Sequence, residues 1–191
     1  MMTYYENSLK LRETSPDHPY LAHQRLDYLM QEQLHNKVPY GWQRERISSE
    51  PRATQVTLRT GIPLGLPGER KEELRLNVGD VLMFQMNFCC PVMTSITGKK
   101  NKKMSLLSDE NLPSALAKHC IKAGMQLQSH SLAIAYVELF RKASSRFPLK
   151  CHAISVIAEI SDVALAEQAI VYGMGKKRVF GYGLPTAIEV L

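Results

Sequence analysis

With 191 residues, 45% of them hydrophobic and 22% charged, the chain is long enough for one medium domain or two small ones and rich enough to bury a core, which excludes a disordered protein. Its formal charge of +6 favours an acidic partner. The opening around Glu6, Asn7 and Ser8 is polar where a secretory signal needs an apolar core, and no apolar run nears the ~20 residues of a spanning helix, so a cytoplasmic protein is expected.

Tyr4 to Arg12 alternates as a strand. Ser15-Pro16 or Asp17-His18-Pro19 then starts a helix that runs to about Leu34, with Ala22, Leu26, Leu29 and Met30 as its buried stripe and Tyr20, His23 and Asp27 beside it. Pro39 and Gly41 close that unit. Tyr40 to Ile47 and Thr54 to Thr60 read as two strands, Gly61 to Gly68 as a loop, and Leu74 to Val78 as a short strand, giving β-α-β-β-loop-β with the second helix eroded.

Asn77-Val78-Gly79-Asp80 is the candidate boundary, so we expect an N-terminal domain over 1–78 and a C-terminal one over 79–191. After it, Val81 to Met93 reads as a long buried strand, and Gly98 to Lys103 as a basic hairpin or loop. Helical period runs from Ser108 to Leu127. Ser131 to Phe140 and Lys150 to Ile160 are strands, Asp162 to Tyr172 is a helix capped by Ser161 or Asp162, and Tyr182 to Leu191 is a last strand. The second half is therefore β-α-β-β-α-β, the order of a ferredoxin-like fold, and the first half is a degenerate copy of it. The expected class is α+β, two tandem ferredoxin-like (RRM-like) domains flanking a cleft.

Cys89 and Cys90 are adjacent, Cys120 and Cys151 stand apart, and no Cys-x-x-Cys occurs, so buried thiols are expected and not a zinc site or disulfide framework. His119-Cys120 and Cys151-His152 lack the spacing to place two ligands of one metal on one face. Trp42 and the tyrosines of the first half are not interleaved with cations, and read as core or sheet-face residues.

Two segments carry chemistry. The first is Gly173-Met174-Gly175-Lys176-Lys177-Arg178-Val179-Phe180-Gly181-Tyr182-Gly183, two Gly-x-Gly pairs around three adjacent cations, which can offer backbone N–H groups and positive charge to phosphate. As a plain structural segment it would be a helix C-cap, a solvated turn and a bulge. The second is His23, early in the first helix and three residues after Tyr20, where the positive helix end favours a bound anion and an imidazole can move protons. Taken alone, such a histidine is usually structural. Lys99, Lys100, Lys102 and Lys103 form the densest charge run, a solvated loop or a nucleic-acid contact.

Together these segments resemble the CRISPR-associated repeat-processing endoribonucleases of the CasE type, in the RAMP superfamily, which serve Cascade-like effector complexes. Gly-Met-Gly-Lys-Lys-Arg-Val-Phe-Gly-Tyr-Gly-Leu is similar to the family's glycine-rich loop between the last helix and last strand. Tyr20-Leu21-Ala22-His23-Gln24-Arg25-Leu26 is similar to its Tyr-x-x-His-x-x-Leu. A looser similarity runs from Leu76 to Met93 and through the basic loop. One departure is Gly61 to Gly68, where the family would carry a helix.

The resemblance implies a metal-independent, cofactor-free endoribonuclease that cleaves the repeat hairpin of precursor CRISPR RNA by 2′-hydroxyl attack. It implies His23 and Tyr20 as catalytic residues. RNA contacts would come from Lys99, Lys100, Lys102, Lys103, Gly173, Gly175, Lys176, Lys177, Arg178, Gly181 and Gly183. The implied partners are the repeat hairpin, the mature crRNA and other subunits of a Cascade-like (type I-E or type IV) complex. The alternative is a non-catalytic RNA-binding subunit of such a complex, with His23 structural.

Overall fold

The structure is a computed structural model and describes residues 1–14, 18–34, 38–45, 50, 52–95, 102–142, 145–175 and 177–191. The first half holds β1 (Met2–Arg12), α1 (Pro19–Leu34), β2 (Tyr40–Glu45), β3 (Ala53–Thr60) and β4 (Arg70–Leu74). These four strands form one sheet in the order β2-β3-β1-β4, with every neighbouring pair antiparallel. That is the strand order of a ferredoxin-like unit whose second helix is replaced by the 61–69 connection. The expected loop there is present.

The second half begins with β5 (Val81–Cys89), continues through a hairpin of β6 (Val92–Ser95) and β7 (Lys102–Ser105), and then gives α2 (Leu112–Lys122), β8 (Met125–Lys142), β9 (Ser145–Ile160), α3 (Val163–Tyr172) and β10 (Thr186–Val190). Its sheet runs β10-β5-β9-β8, again antiparallel throughout. With the hairpin set aside, the order of elements and of strands repeats that of the first half. The α+β, tandem ferredoxin-like class expected from the sequence is the observed one.

Several boundaries differ from the expectations: β8 and β9 begin at Met125 and Ser145 instead of Ser131 and Lys150, and four others differ for a local reason. The short strand near residue 74 lies earlier, at Arg70–Leu74, pairing Met2 to Glu6 of β1. It is an edge strand, and Arg70, Lys71, Glu72 and Glu73 give it the charge that protects an open edge. The apolar run from Val81 breaks after Cys89 because Pro91 has no N–H for the ladder. The helix through Cys120 stops at Lys122, so Leu127 lies on β8. Gly124 has φ +69°, and a Cβ there would sit 2.4 Å from the carbonyl oxygen of Asp162. The last strand starts at Thr186, after glycines 181 and 183 with positive φ and after Pro185.

Two of the three buried apolar clusters among the described residues follow from these periodicities, and the third gathers Phe140, Leu149, Phe180 and Tyr182. In the first, Ala22, Leu26 and Met30 of α1, spaced by four, meet Val56 and Leu58 of β3 and Trp42 of β2, while Leu29 stays half-buried. In the second, Leu82, Phe84, Met86 and Phe88 alternate inward along β5 under Leu116 and Cys120 of α2 and Ala166 and Ile170 of α3. Each fully buried Leu or Phe contributes about 2 kcal/mol relative to exposure. Asp162 caps α3 by accepting the Leu165 N–H at 3.1 Å. None of the four cysteines is in a disulfide. Among the described residues no helix is long and apolar enough to cross a membrane.

Two buried arginines join the halves. Arg59 of β3 donates to the carbonyl oxygens of Ile170 (2.6 Å) and Pro185 (2.9 Å) and to Glu6 (2.6 Å), with its guanidinium 4.5 Å from the Tyr4 ring centroid. Arg44 of β2 donates to Glu138 of β8 at 2.5 Å and to the Tyr182 hydroxyl at 2.9 Å, and that hydroxyl donates in turn to Glu138. Burial pushes the Tyr182 pKa far up, so the phenol stays protonated. Burial opposes the Arg44 charge, but Tyr182 and Glu138 outweigh it and the net shift is upward.

Candidate functional site

Pro19 occupies the first helical position of α1, where its missing N–H costs nothing, and this sets Tyr20 and His23 within the first two turns on one side of the helix. The His23 side chain is 20% exposed, so the ring is held yet reachable. Its plane lies within 4° of that of Trp42, with centroids 6.5 Å apart. Tyr20 is tilted against it, with centroids at 6.1 Å.

The hydrogen bonds around His23 fix its chemistry. The Tyr40 hydroxyl lies 2.9 Å from Nδ1 and donates to Asp27 Oδ1 at 2.7 Å, while Asp27 Oδ2 lies 3.4 Å from Nε2. Burial, followed by the bond to Asp27, pushes the Tyr40 pKa well above the phenol range, so the hydroxyl keeps its proton. Its oxygen therefore accepts from Nδ1–H, an assignment made from the network. Nε2 is left as the nitrogen not engaged with Tyr40, and Asp27, one helical turn on, faces it at 3.4 Å.

The glycine segment meets this helix directly. Phe180, in a 3-10 turn over Arg178–Phe180, has its ring centroid 6.3 Å from that of Tyr20. A cleft of about 450 Å³ is lined by His23, Asp27, Tyr40, Trp42, Tyr172 and Arg178 among others. His23 and Arg178, 155 positions apart in sequence, thus share one cavity. Lys177 turns elsewhere, with its ammonium 5.7 Å and 5.6 Å from the centroids of Phe147 and Phe180.

Three of the four glycines have their N–H groups bonded inside the protein: Gly173, Gly181 and Gly183 donate to the carbonyls of Ala169, Arg178 and Asn87. Their conformation is what the site needs. Gly181, at φ +76°, lets the backbone lie on Trp42, where a Cβ would be 3.0 Å from the ring; Gly183, at φ +82°, would place a Cβ 1.9 Å from the Met174 carbonyl oxygen. Gly175 lines a neighbouring cleft together with Arg178.

Of the other expected RNA contacts, Lys99, Lys100 and Lys176 lie outside the described residues. Lys102 and Lys103 lie on β7, in register with Ser95 and Thr94 of β6. Tyr40 and Trp42, read from sequence as core or sheet-face residues, are part of the site, Trp42 as its buried floor. Nothing local marks them. Their relation to His23 exists only once α1 packs on the first sheet.

No protein-family model matches the chain, and no curated protein matches it. Solved structures do match over its whole length. Cse3 of Thermus thermophilus, bound to an RNA representing a pre-cleavage complex, is 15% identical with a TM-score of 0.69, covering 100% of both chains. The CRISPR-associated protein Cas6e of Escherichia coli K-12 is 17% identical with a TM-score of 0.68, covering 99% of this chain and 98% of that one. A chain of a CRISPR RNA-guided surveillance complex in a pre-nicking state is 14% identical with a TM-score of 0.64, covering 98% of each. The chain therefore has the fold of the CRISPR endoribonuclease Cse3 and of the CRISPR-associated protein Cas6e.

Proposed function

We propose that the protein is an endoribonuclease that matures CRISPR RNA, cutting the repeat hairpin by attack of the RNA's own 2′-hydroxyl on the adjacent phosphate. The observation that carries this reading is the cleft shared by His23 and Arg178. An internal nucleophile needs no activated water, so the reaction is metal-independent and leaves a 2′,3′-cyclic phosphate and a 5′-hydroxyl. The 2′-oxygen forms a bond to phosphorus, the bond to the 5′-oxygen breaks, and one proton leaves the first oxygen while another reaches the second.

His23 Nε2 is the group to carry one of these protons, with Tyr40 and Asp27 holding the ring. Tyr20, tilted against both His23 and Phe180, orients the reacting phosphate or donates to it. Arg178 stabilises the charge that develops on the phosphoryl oxygens. The A-form stem is gripped through its backbone by the basic hairpin and the glycine segment. The fold shared with RNA-bound Cse3, Cas6e and a surveillance-complex subunit supports retention of the product and assembly into a Cascade-like complex in the cytoplasm.

The deciding experiment incubates labelled repeat hairpin with wild type and His23→Ala, with and without chelator. Cutting by wild type, untouched by chelator and lost in the variant while hairpin binding stays within a few-fold, is expected. A 2′-deoxy substitution before the scissile bond should also block cutting. Binding without cutting by wild type would make the protein a non-catalytic RNA subunit instead.

A further inference from the structure

On the far side of Arg178 a second cleft, of about 300 Å³, opens between α2 and α3. His119 and Lys122, three residues apart on α2, form one wall; Gln168 and Tyr172, four apart on α3, form the other. Tyr172 and Arg178 line this cleft and the His23 cleft alike, so the two are joined across that pair. Arg178 reaches back toward the carbonyl oxygens of Tyr172 (3.4 Å) and Gly173 (3.5 Å), which keeps its guanidinium on the ridge between them. The lining holds three groups able to carry positive charge and, among the described residues, no carboxylate.

Two features set this apart from a solvated helix end. Basic residues in the last turn of α2 compensate the helix dipole, and His119 and Lys122 both sit there. Dipole compensation does not account for the facing amide and phenol of Gln168 and Tyr172, nor for the continuity with the His23 cleft. His119 is held in place, with its ring edge-on to Phe88 at 5.4 Å and Nε2 3.4 Å from Cys90 Sγ. A cationic groove with an aromatic side chain beside it is the chemistry that binds a single strand of nucleic acid, cations on phosphates and ring on base.

We infer that the α2–α3 cleft holds the single-stranded RNA adjoining the cut, with Lys122, His119 and Arg178 on its phosphates and Tyr172 against a base. This rests on the RNA reading of the His23 cleft. A duplex is too wide for a cleft of this size, so the stem stays outside and only the flanking strand enters. The site makes a tail next to the hairpin part of what the protein recognises.

The test measures binding of a blunt repeat hairpin and of the same hairpin carrying a short single-stranded tail on its 5′ or its 3′ side. Wild type and Lys122→Glu are compared; Lys122 is exposed at the end of α2, so the variant should fold, and circular dichroism checks that it does. On one side the tail should tighten wild-type binding about tenfold. In Lys122→Glu that ratio should fall toward one, with the tail's share of the salt dependence reduced by about one unit of slope. A wild-type ratio of one for both tails, or a ratio that survives Lys122→Glu, overturns the inference. The nuclease reading is scored separately, by cutting of the tailed hairpins by wild type and its loss in His23→Ala. A Lys122-dependent tail effect without cutting would keep this cleft and overturn the nuclease.

Discussion

Tyr40, on the first sheet, presents its hydroxyl 2.9 Å from Nδ1 of His23 on the helix packed over it. Because that hydroxyl also donates to Asp27, one phenol fixes both the ring's tautomer and the carboxylate that faces its other nitrogen. Tyr40→Phe should therefore slow cleavage about tenfold to a hundredfold, the loss expected when a buried hydrogen bond is removed. Hairpin affinity should change less than threefold. Single-turnover cleavage read beside equilibrium binding checks this, and an equal loss in both would make Tyr40 a plain structural residue.

The Arg44–Glu138 pair ties the two halves, with side chains only 9% and 19% exposed. Glu138→Ala leaves a buried guanidinium without its carboxylate and should cost about 3–5 kcal/mol. Adding Arg44→Met to that variant should restore part of the loss, because the buried charge goes with it. Urea unfolding of both singles and the double gives the coupling, and strict additivity would contradict it.

Gly183 and Gly68 both have positive φ, +82° and +78°, but only Gly183 has no room: a Cβ there meets the Met174 carbonyl oxygen at 1.9 Å, while at Gly68 nothing lies within 4 Å. Gly183→Ala should lose at least about 2 kcal/mol, whereas Gly68→Ala should lose about 1 kcal/mol from backbone strain alone. Thermal unfolding of the two variants side by side tests the difference.

His152 is fully buried on β9 and bonded through Nε2 to Asp109 Oδ1 at 2.9 Å, while Lys150 bonds the same oxygen at 2.7 Å. Burial pushes the imidazole pKa below its ordinary 6.5, against the opposing pull of Asp109. The unfolded chain thus takes up a proton before the folded one does. Stability should be level above about pH 7 and fall as pH drops through 6.5 toward the lower folded value. Lys150 and then His152 hold the Asp109 carboxyl below its usual range, so that group loses its contribution only at lower pH, below the ordinary 3.8. Melting temperature against pH, compared with His152→Gln, should show the upper fall removed in the variant.

The features read from sequence share one property, which is that their residues are close together along the chain. The Tyr20–His23 helix, the Asp162 cap and the glycine segment are each local, and each is where the periodicity and turn chemistry placed it. The partners of His23 are not local. Tyr40 joins it only after α1 lies on the sheet, and Arg178 only after both halves dock. Arg59 illustrates the same gap. In Val56-Thr57-Leu58-Arg59-Thr60 it reads as the solvent member of a strand, yet it is buried because the carbonyls at the end of α3 and after Tyr182 come to meet it. The charged edge strand β4 was displaced in the expectation for the opposite reason, since an unpaired border carries little apolar signal.

That same Arg59 has a bearing on synthesis. Its guanidinium is completed by the oxygens of Ile170 and Pro185, which leave the ribosome more than a hundred residues after it. Until those residues emerge, the nascent first sheet carries a cation with two of these three acceptors still to come, so this half reaches its finished state only after residue 185 has been made. The cleft shared by His23 and Arg178, framed partly by the same late segment, is consequently incomplete until that segment has joined the first half.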